Sequence, residues 1–336
     1  MSLDAPDQNR PRLGRPESFR SAEQAGQAAY LARIADTALL NPRTPHSLKP
    51  EHRRLNLGAH LRDEVEAYFG PPRNIAWHLH AASGMSSQAC CINFLTPLAT
   101  QPALLARVIG RALDIEPPRM LEVESGPGGT PWYVAFEWIG RQDHLSEWPI
   151  HSAPSRGANV TSVDAMVRFE HGGITHGLLI EWKYAEAYGN PINPAGNAVR
   201  MARYADKVFA PEGPIRAELG LKVEDFFWEP LYQLLRQQML ALRMTRARED
   251  GVDRVRLLHI SPAGNTALPR VTSPALHRFG DDVFEVFRGL LKEPSDFIQC
   301  SVEDVFAPIL AEVHTDPAAG AWAGYLRDRY RFASKV

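Results

Sequence analysis

Asp164, Glu181 and Lys183 are the residues of this 336-residue chain whose types and spacing bear most directly on chemistry. They lie in two apolar, alternating segments, Ser162 to Glu170 and Thr175 to Tyr184, joined by His171-Gly172-Gly173-Ile174. That pattern predicts a β-hairpin with the two glycines at the centre of its turn. Counting back along both arms sets Asp164 opposite Glu181. Because side chains alternate along a strand, Asp164, Met166 and Arg168 share a face with Leu179, Glu181 and Lys183. Val163, Ala165, Val167, Phe169, Leu178, Ile180 and Trp182 make up the opposite, apolar face. Two carboxylates with Cβ atoms roughly 5 Å apart repel each other, and burial raises the cost. A divalent cation that prefers oxygen, Mg²⁺ or Mn²⁺, offsets that repulsion and is commonly held by one or two carboxylates, water and substrate phosphate. Lys183 then stands ready to orient or deprotonate a nucleophile, or to hold charge developing on phosphorus, which makes a phosphodiester the expected substrate. The plainer alternative is an exposed polar pair on a solvated hairpin face. The near-continuous apolar run Gly177 to Trp182 argues instead for a strand buried on both faces.

The surrounding elements must position that hairpin. Residues 1–20, with Pro6, Pro11, Gly14 and Pro16 among charges, read as a flexible arm. Residues 21–100 read as a helical N-terminal region, with helices over Ala25 to Leu40, Leu57 to Phe69 and 85–98. An α/β core is expected over 101–262: a helix at 103–113, a strand at 132–139, a long loop, the hairpin, an irregular excursion from Tyr188 to Pro214, a helix at 230–248 and a strand at 255–260. Residues 263–336 read as a helical C-terminal extension, through Asp281 to Leu291, Glu303 to Val313 and Trp322 to Tyr330.

Bulk properties narrow the function. No run of about 18 apolar residues and no secretory start are present, so neither export nor membrane insertion is expected. Three cysteines, two of them adjacent, suit a reducing, cytoplasmic setting. A net charge of −2 gives no overall basic balance for nucleic acid, though Arg236, Arg243, Arg246, Arg248, Arg254 and Arg256 cluster locally. A solvated helix face accounts for such a cluster equally well. His78-Leu79-His80 lacks accompanying ligands at metal spacing and reads as structural. Ser83 to Ser87 precedes a helix; Ser86 or Ser87 can cap it, and in a nuclease both would touch the DNA backbone.

Asp164 followed after sixteen residues by Glu181-Trp182-Lys183 resembles the PD-(D/E)XK nuclease superfamily, the restriction-endonuclease-like fold. The wider pattern Gly157 to Asp164 with Ile180 to Tyr184, together with Ser86-Ser87-Gln88, Asn93-Phe94 and Pro97-Leu98, is similar to a prokaryotic branch of uncharacterised restriction-type endonucleases. The resemblance covers roughly residues 75–262, and Val163 stands where the motif name has proline. It implies that Asp164 and Glu181 are metal ligands and Lys183 the catalytic lysine. It also implies an upstream glutamate in the metal site, for which Glu147 is preferred over Glu137, and a glutamine, Gln233, pointing into the site. The expected fold is therefore α/β, an αβββαβ core whose mixed sheet is flanked by helices. The expected activity is Mg²⁺-dependent endonuclease cleavage of DNA, in restriction, defence or repair, with Arg236 and Arg243 on the nucleic acid and a homodimer as the route to double-strand cuts. Two alternatives stand beside it: a catalytically silent nuclease-fold DNA-binding or scaffold subunit, and a metal-dependent phosphohydrolase acting on RNA or nucleotides.

Overall fold

The structure, a computed structural model, describes residues 18–158, 160–316 and 319–333. Its helices are α1 (Phe19–Ile34), α2 (Arg62–Phe69), α3 (Ser87–Leu95), α4 (Pro102–Leu113), α5 (Asn197–Val208), α6 (Leu231–Ala247), α7 (Val283–Leu290), α8 (Val302–Glu312) and α9 (Ala319–Arg329). Its strands are β1 (Arg119–Leu121), β2 (Glu124–Ser125), β3 (Pro131–Trp132), β4 (Ala135–Trp138), β5 (Val163–His171), β6 (Ile174–Trp182), β7 (Arg254–Ser261) and β8 (Phe297–Ser301). Most of the arm read over 1–20 lies outside the described residues, while Phe19 and Arg20 open α1 rather than belonging to it.

The β5–β6 hairpin turns on Gly172 and Gly173 at φ +60° and +80°, the left-handed pair that a tight two-residue connection requires. Its partners run from His171 opposite Ile174 to Ala165 opposite Ile180, the register that the glycine pair predicts. On the outer edge of β5 lies not one strand but two: β1 pairs with its far half and β4 with its near half, both antiparallel. The strand expected at 132–139 is thus interrupted. A small β2–β3 hairpin leaves the sheet between the two edge pieces. On the other side of β6 the pairing becomes parallel, first to β7 and then to β8. The tail expected to be purely helical therefore supplies an edge strand, and the excursion expected to be irregular contains α5.

Both faces of this mixed sheet are covered. Ala165, Val167, Leu178, Ile180 and Trp182 face one core, shared with α2, α3, α4, α8 and α9. Met166 and Leu179 face the other, against α5, α6 and α7. Val163 joins this second core rather than the first, contrary to strict alternation. Amphipathic spacing drives the helices on: α4 buries Leu104, Leu105, Val108, Ile109 and Ala112 along one stripe.

A polar knot ties the two ends of the chain to the hairpin. Arg329 of α9, only 2% exposed, donates to the backbone and side-chain oxygens of Asn56 and to Tyr325 Oη at 2.6 Å, and it lies over the rings of Tyr30 and Tyr330. Nearby, Tyr184 Oη donates to Glu23 Oε2 at 2.6 Å and accepts from Gln27 Nε2 at 3.1 Å. Replacing Arg329 strips several buried oxygens of their donor. We expect Arg329→Met to lower unfolding free energy by about 3 kcal/mol in urea titration, whereas Arg33→Met, which removes an exposed ion pair with Asp328, leaves the midpoint unchanged. Equal effects from the two would refute the anchoring role of Arg329.

Candidate active site

The site is a row of polar side chains laid across an otherwise apolar sheet. In the β4–β5 register Phe136 faces Ala165 and Trp138 faces Val163, so Glu137 falls opposite Asp164. The hairpin register carries Asp164 to Glu181, and β6–β7 pairing carries Glu181 to His259. The row therefore reads Glu137, Asp164, Glu181, His259. It lies where β6 and β7 end, the place at which open α/β sheets hold ligands.

Each member is held by named partners. Trp182 N–H donates to Asp164 Oδ2 at 2.7 Å. Glu181, 1% exposed, forms an ion pair with Lys183 and accepts from Gln237 Nε2. Gln237 also donates to the Ser162 carbonyl at 3.0 Å, so one side chain of α6 fixes both arms of the hairpin. Lys183 Nζ donates to Gln233 Oε1 at 2.8 Å. Gln233 and Gln237 stand one helical turn apart and reach the sheet together. Glu137 accepts from Gln88 Nε2 at 2.6 Å and from Ser162 Oγ at 3.3 Å.

Glu137 owes its position to backbone constraint. It has φ +51°, unusual for a residue with a Cβ, and this leaves it free of the regular ladder. Arg156 braces it by donating to its carbonyl at 3.3 Å, to the Phe136 carbonyl and to both Glu124 oxygens. Gly157, at φ +78°, packs so closely that a Cβ would lie 2.8 Å from the Ala76 carbonyl and 3.3 Å from Glu137 Oε2.

Glu137, Asp164, Glu181, Lys183 and Gln233 line a cavity of about 170 Å³ together with His78, Ser87, Gln88, Gly157 and Ser162. Of the residues expected at the site, Asp164, Glu181, Lys183, Gln233 and Ser87 meet there. Glu147 does not: its carboxylate is taken by Thr161 Oγ1 at 2.8 Å, the Thr161 N–H and Tyr204 Oη, and Glu137 occupies the cavity instead. Ser86 is buried and caps α3 by accepting from Ala89 N–H at 3.2 Å. Arg236 lies over the Tyr232 ring, 4.7 Å from its centroid, and neither it nor the half-buried Arg243 lines the cavity. Their direction on α6 differs from that of Gln233 and Gln237. His78, read as structural, forms part of the wall. Gln237 and Gln88 were missed as site residues; the i, i+4 spacing of Gln237 from Gln233 was the available signal.

Electrostatics set the chemistry. Burial, then the neighbouring Glu181 and Glu137, hold the Asp164 carboxyl well above its ordinary range. Burial and Glu181 push Glu137 up to about 7, against the help of Gln88. Burial opposes the charge on Lys183, but Glu181, Glu186 and Asp164 outweigh it and its pKa is raised. Burial and Lys183 push His259 down to about 3, which keeps it neutral. Among the described residues no three His, Cys, Asp or Glu side chains form a ready-made metal cage. The donors nonetheless suit a hard cation: three carboxylates share one cavity with a single ammonium, and Mg²⁺ usually takes one or two carboxylates and completes its shell with water and substrate.

Fold and site together define a mixed α/β protein with a buried carboxylate–lysine cavity at the strand ends. The chain is a member of the family described as Restriction Endonuclease associating with ARP, whose model it matches over residues 21–331. No curated protein and no solved structure matches it. Among the described residues no helix is long and apolar enough to cross a membrane.

The raised Glu137 pKa has a consequence for stability. The folded chain binds this proton more tightly than the unfolded chain, whose glutamate titrates near 4.5. Its contribution is therefore complete below about 4.5 and is lost as pH rises through about 7. In EDTA, Glu137→Gln should gain stability over the wild-type chain across that interval, by at most about 3 kcal/mol, and the difference should level off above it. A difference independent of pH in urea titrations would contradict this account.

Proposed function

We propose that the chain is a metal-dependent endonuclease with a PD-(D/E)XK-type core, hydrolysing DNA phosphodiester bonds at the Glu137–Asp164–Glu181–Lys183 cavity. The observation that carries this reading is the convergence of Asp164, Glu181 and Lys183, from adjacent strands, with Gln233 from α6 in one buried pocket. Support also comes from the order α4, β4, β5, β6, α6, β7 and from the family's description. That description includes association with ARP, and we extend the proposal to a chain that works with such a partner.

Asp164 and Glu181 would hold Mg²⁺ or Mn²⁺. When bound, the cation supplies Lewis-acid polarisation of the phosphodiester and neutralises charge. Lys183, kept protonated by its acidic neighbours, acts as a fixed cation rather than a base: it donates to a non-bridging phosphoryl oxygen as negative charge builds there. Gln233 holds its ammonium in place. Glu137, near neutrality in its titration, takes up the proton of the attacking water. The N-terminus of α3, opening at Ser87 on the cavity wall, presents N–H groups to the phosphate backbone. One such centre cuts one strand at a time, so double-strand cleavage calls for a homodimer or sequential nicking.

Supercoiled plasmid incubated with Mg²⁺ or Mn²⁺ should be nicked or linearised, and EDTA should abolish the reaction. Lys183→Ala should slow it at least about a hundred-fold. Glu137→Gln should slow it and flatten the pH–rate profile near neutrality, while Glu147→Gln should retain that profile. DNA binding by both wild type and Lys183→Ala without cleavage by either would replace this reading with that of a non-cutting binding subunit.

A further inference from the structure

A second cavity is larger than the one that holds the carboxylates. It measures about 450 Å³ against about 170 Å³ and is lined by Arg20, Thr44, His46, Leu48, Leu79 and His80 among others. Two short segments separate the cavities and belong to both. His78 lines the small one while Leu79 and His80 line the large one; Lys183 lines the small one while Ala185 and Glu186 line the large one. The smaller cavity and the larger chamber are therefore neighbours, with these two segments as their common wall.

The chamber's chemistry is divided. Arg20 donates through one nitrogen to the Ala185 carbonyl at 2.8 Å, which pins the guanidinium at the wall and leaves it further N–H groups for an anion. His46 and His80 stand in the same wall. Among the described residues the only carboxylate in the lining is Glu186, which accepts Tyr184 N–H at 2.7 Å. Leu48 belongs to the core beneath the lining, while Leu79, 87% exposed between two histidines, offers the chamber an apolar surface. A guanidinium with spare donors and an exposed aliphatic side chain in one cavity match a phosphate joined to a ring that can pack on an apolar surface.

We propose that this chamber binds one unstacked nucleotide of the DNA strand whose neighbouring phosphodiester lies in the carboxylate cavity, its phosphate at Arg20 and its base against Leu79. Leu79 then serves as the wedge that keeps the extruded base from restacking. The inference rests on the nuclease reading of the smaller cavity but makes a separate demand, namely nucleotide binding without cleavage. Deoxynucleoside monophosphates, titrated in EDTA against the full chain and followed by ligand-observed NMR, provide the probe. Thr44→Trp fills the chamber from a loop position, Arg20→Ala removes its cation, and Lys183→Ala changes the lining of the smaller cavity and leaves that of the chamber in place. Binding by wild type and Lys183→Ala that weakens at least tenfold in both chamber variants, with unchanged melting temperatures, is the expected result. Binding lost in Lys183→Ala but kept in Thr44→Trp would place the nucleotide among the carboxylates and overturn the inference while sparing the nuclease reading. No binding to wild type up to millimolar nucleotide would overturn it as well, and plasmid cleavage would still be decided by its own assay.

Discussion

Like charges gathered in a place that water barely reaches are the constraint around which the molecule is arranged. Unit charges about 4 Å apart interact by about 4 kcal/mol at an effective dielectric of 20, so Glu137, Asp164 and Glu181 cannot share a cavity without compensation. Lys183 supplies the opposing charge in the cavity wall, and its partner Gln233 keeps it beside Glu181. The remaining relief comes from donors that are themselves immobile: the Trp182 N–H on Asp164, Gln237 on Glu181, and Gln88 on Glu137. Asp164 and Glu137 still hold raised pKa values, so compensation is incomplete. An arrangement left short of positive charge and built of hard oxygen donors attracts a divalent cation, and that is the physical ground for the metal in the proposed mechanism.

Much of the architecture exists to hold that unfavourable group together. The sheet changes from antiparallel to parallel at β6, so Glu181 meets Asp164 on one side and His259 on the other. Helix α6 spans the same region and contributes two glutamines one turn apart, bracing the strand ends from a rigid element. At the outer edge, the excursion through β2 and β3 breaks the strand and allows Glu137 to adopt its positive φ, which Arg156 and the close approach of Gly157 maintain. The knot around Arg329 and the Glu23–Tyr184 contact bring the helices from both ends of the chain against the strand that bears Lys183.

The parts of this design that were legible in the sequence are those governed by local rules. Gly172-Gly173 defined the hairpin register, and the apolar run before Glu181 implied burial on both faces. Glu137 was ranked behind Glu147 because its place depends on where β4 begins and on a left-handed backbone conformation that nothing in Phe136-Glu137-Trp138 announces. Glu147, more prominent in its loop, is instead consumed by Thr161 and Tyr204. β8 escaped because five residues between helical segments carry little period, and its pairing with β7 is a tertiary fact. Counting arginines along α6 ignored direction: Arg236 and Arg243 leave the helix on a different side from Gln233 and Gln237, so proximity in sequence to the site did not become proximity in space.

His259 shows how finely the charge balance is kept. It is the register partner of Glu181, fully buried, with its ring centroid 4.2 Å from that of Phe284. An ordinary histidine beside a carboxylate would gain a proton and become a second cation, competing with Lys183 and with any metal for Glu181. Burial and the nearby ammonium prevent this by pushing its pKa down to about 3. The fourth member of the row thus adds polarity without charge. The charge of the row is thereby left to its three carboxyls, and a cation bound among them would offset the burial and mutual repulsion that hold the pKa values of Glu137 and Asp164 up, as the proposed mechanism requires.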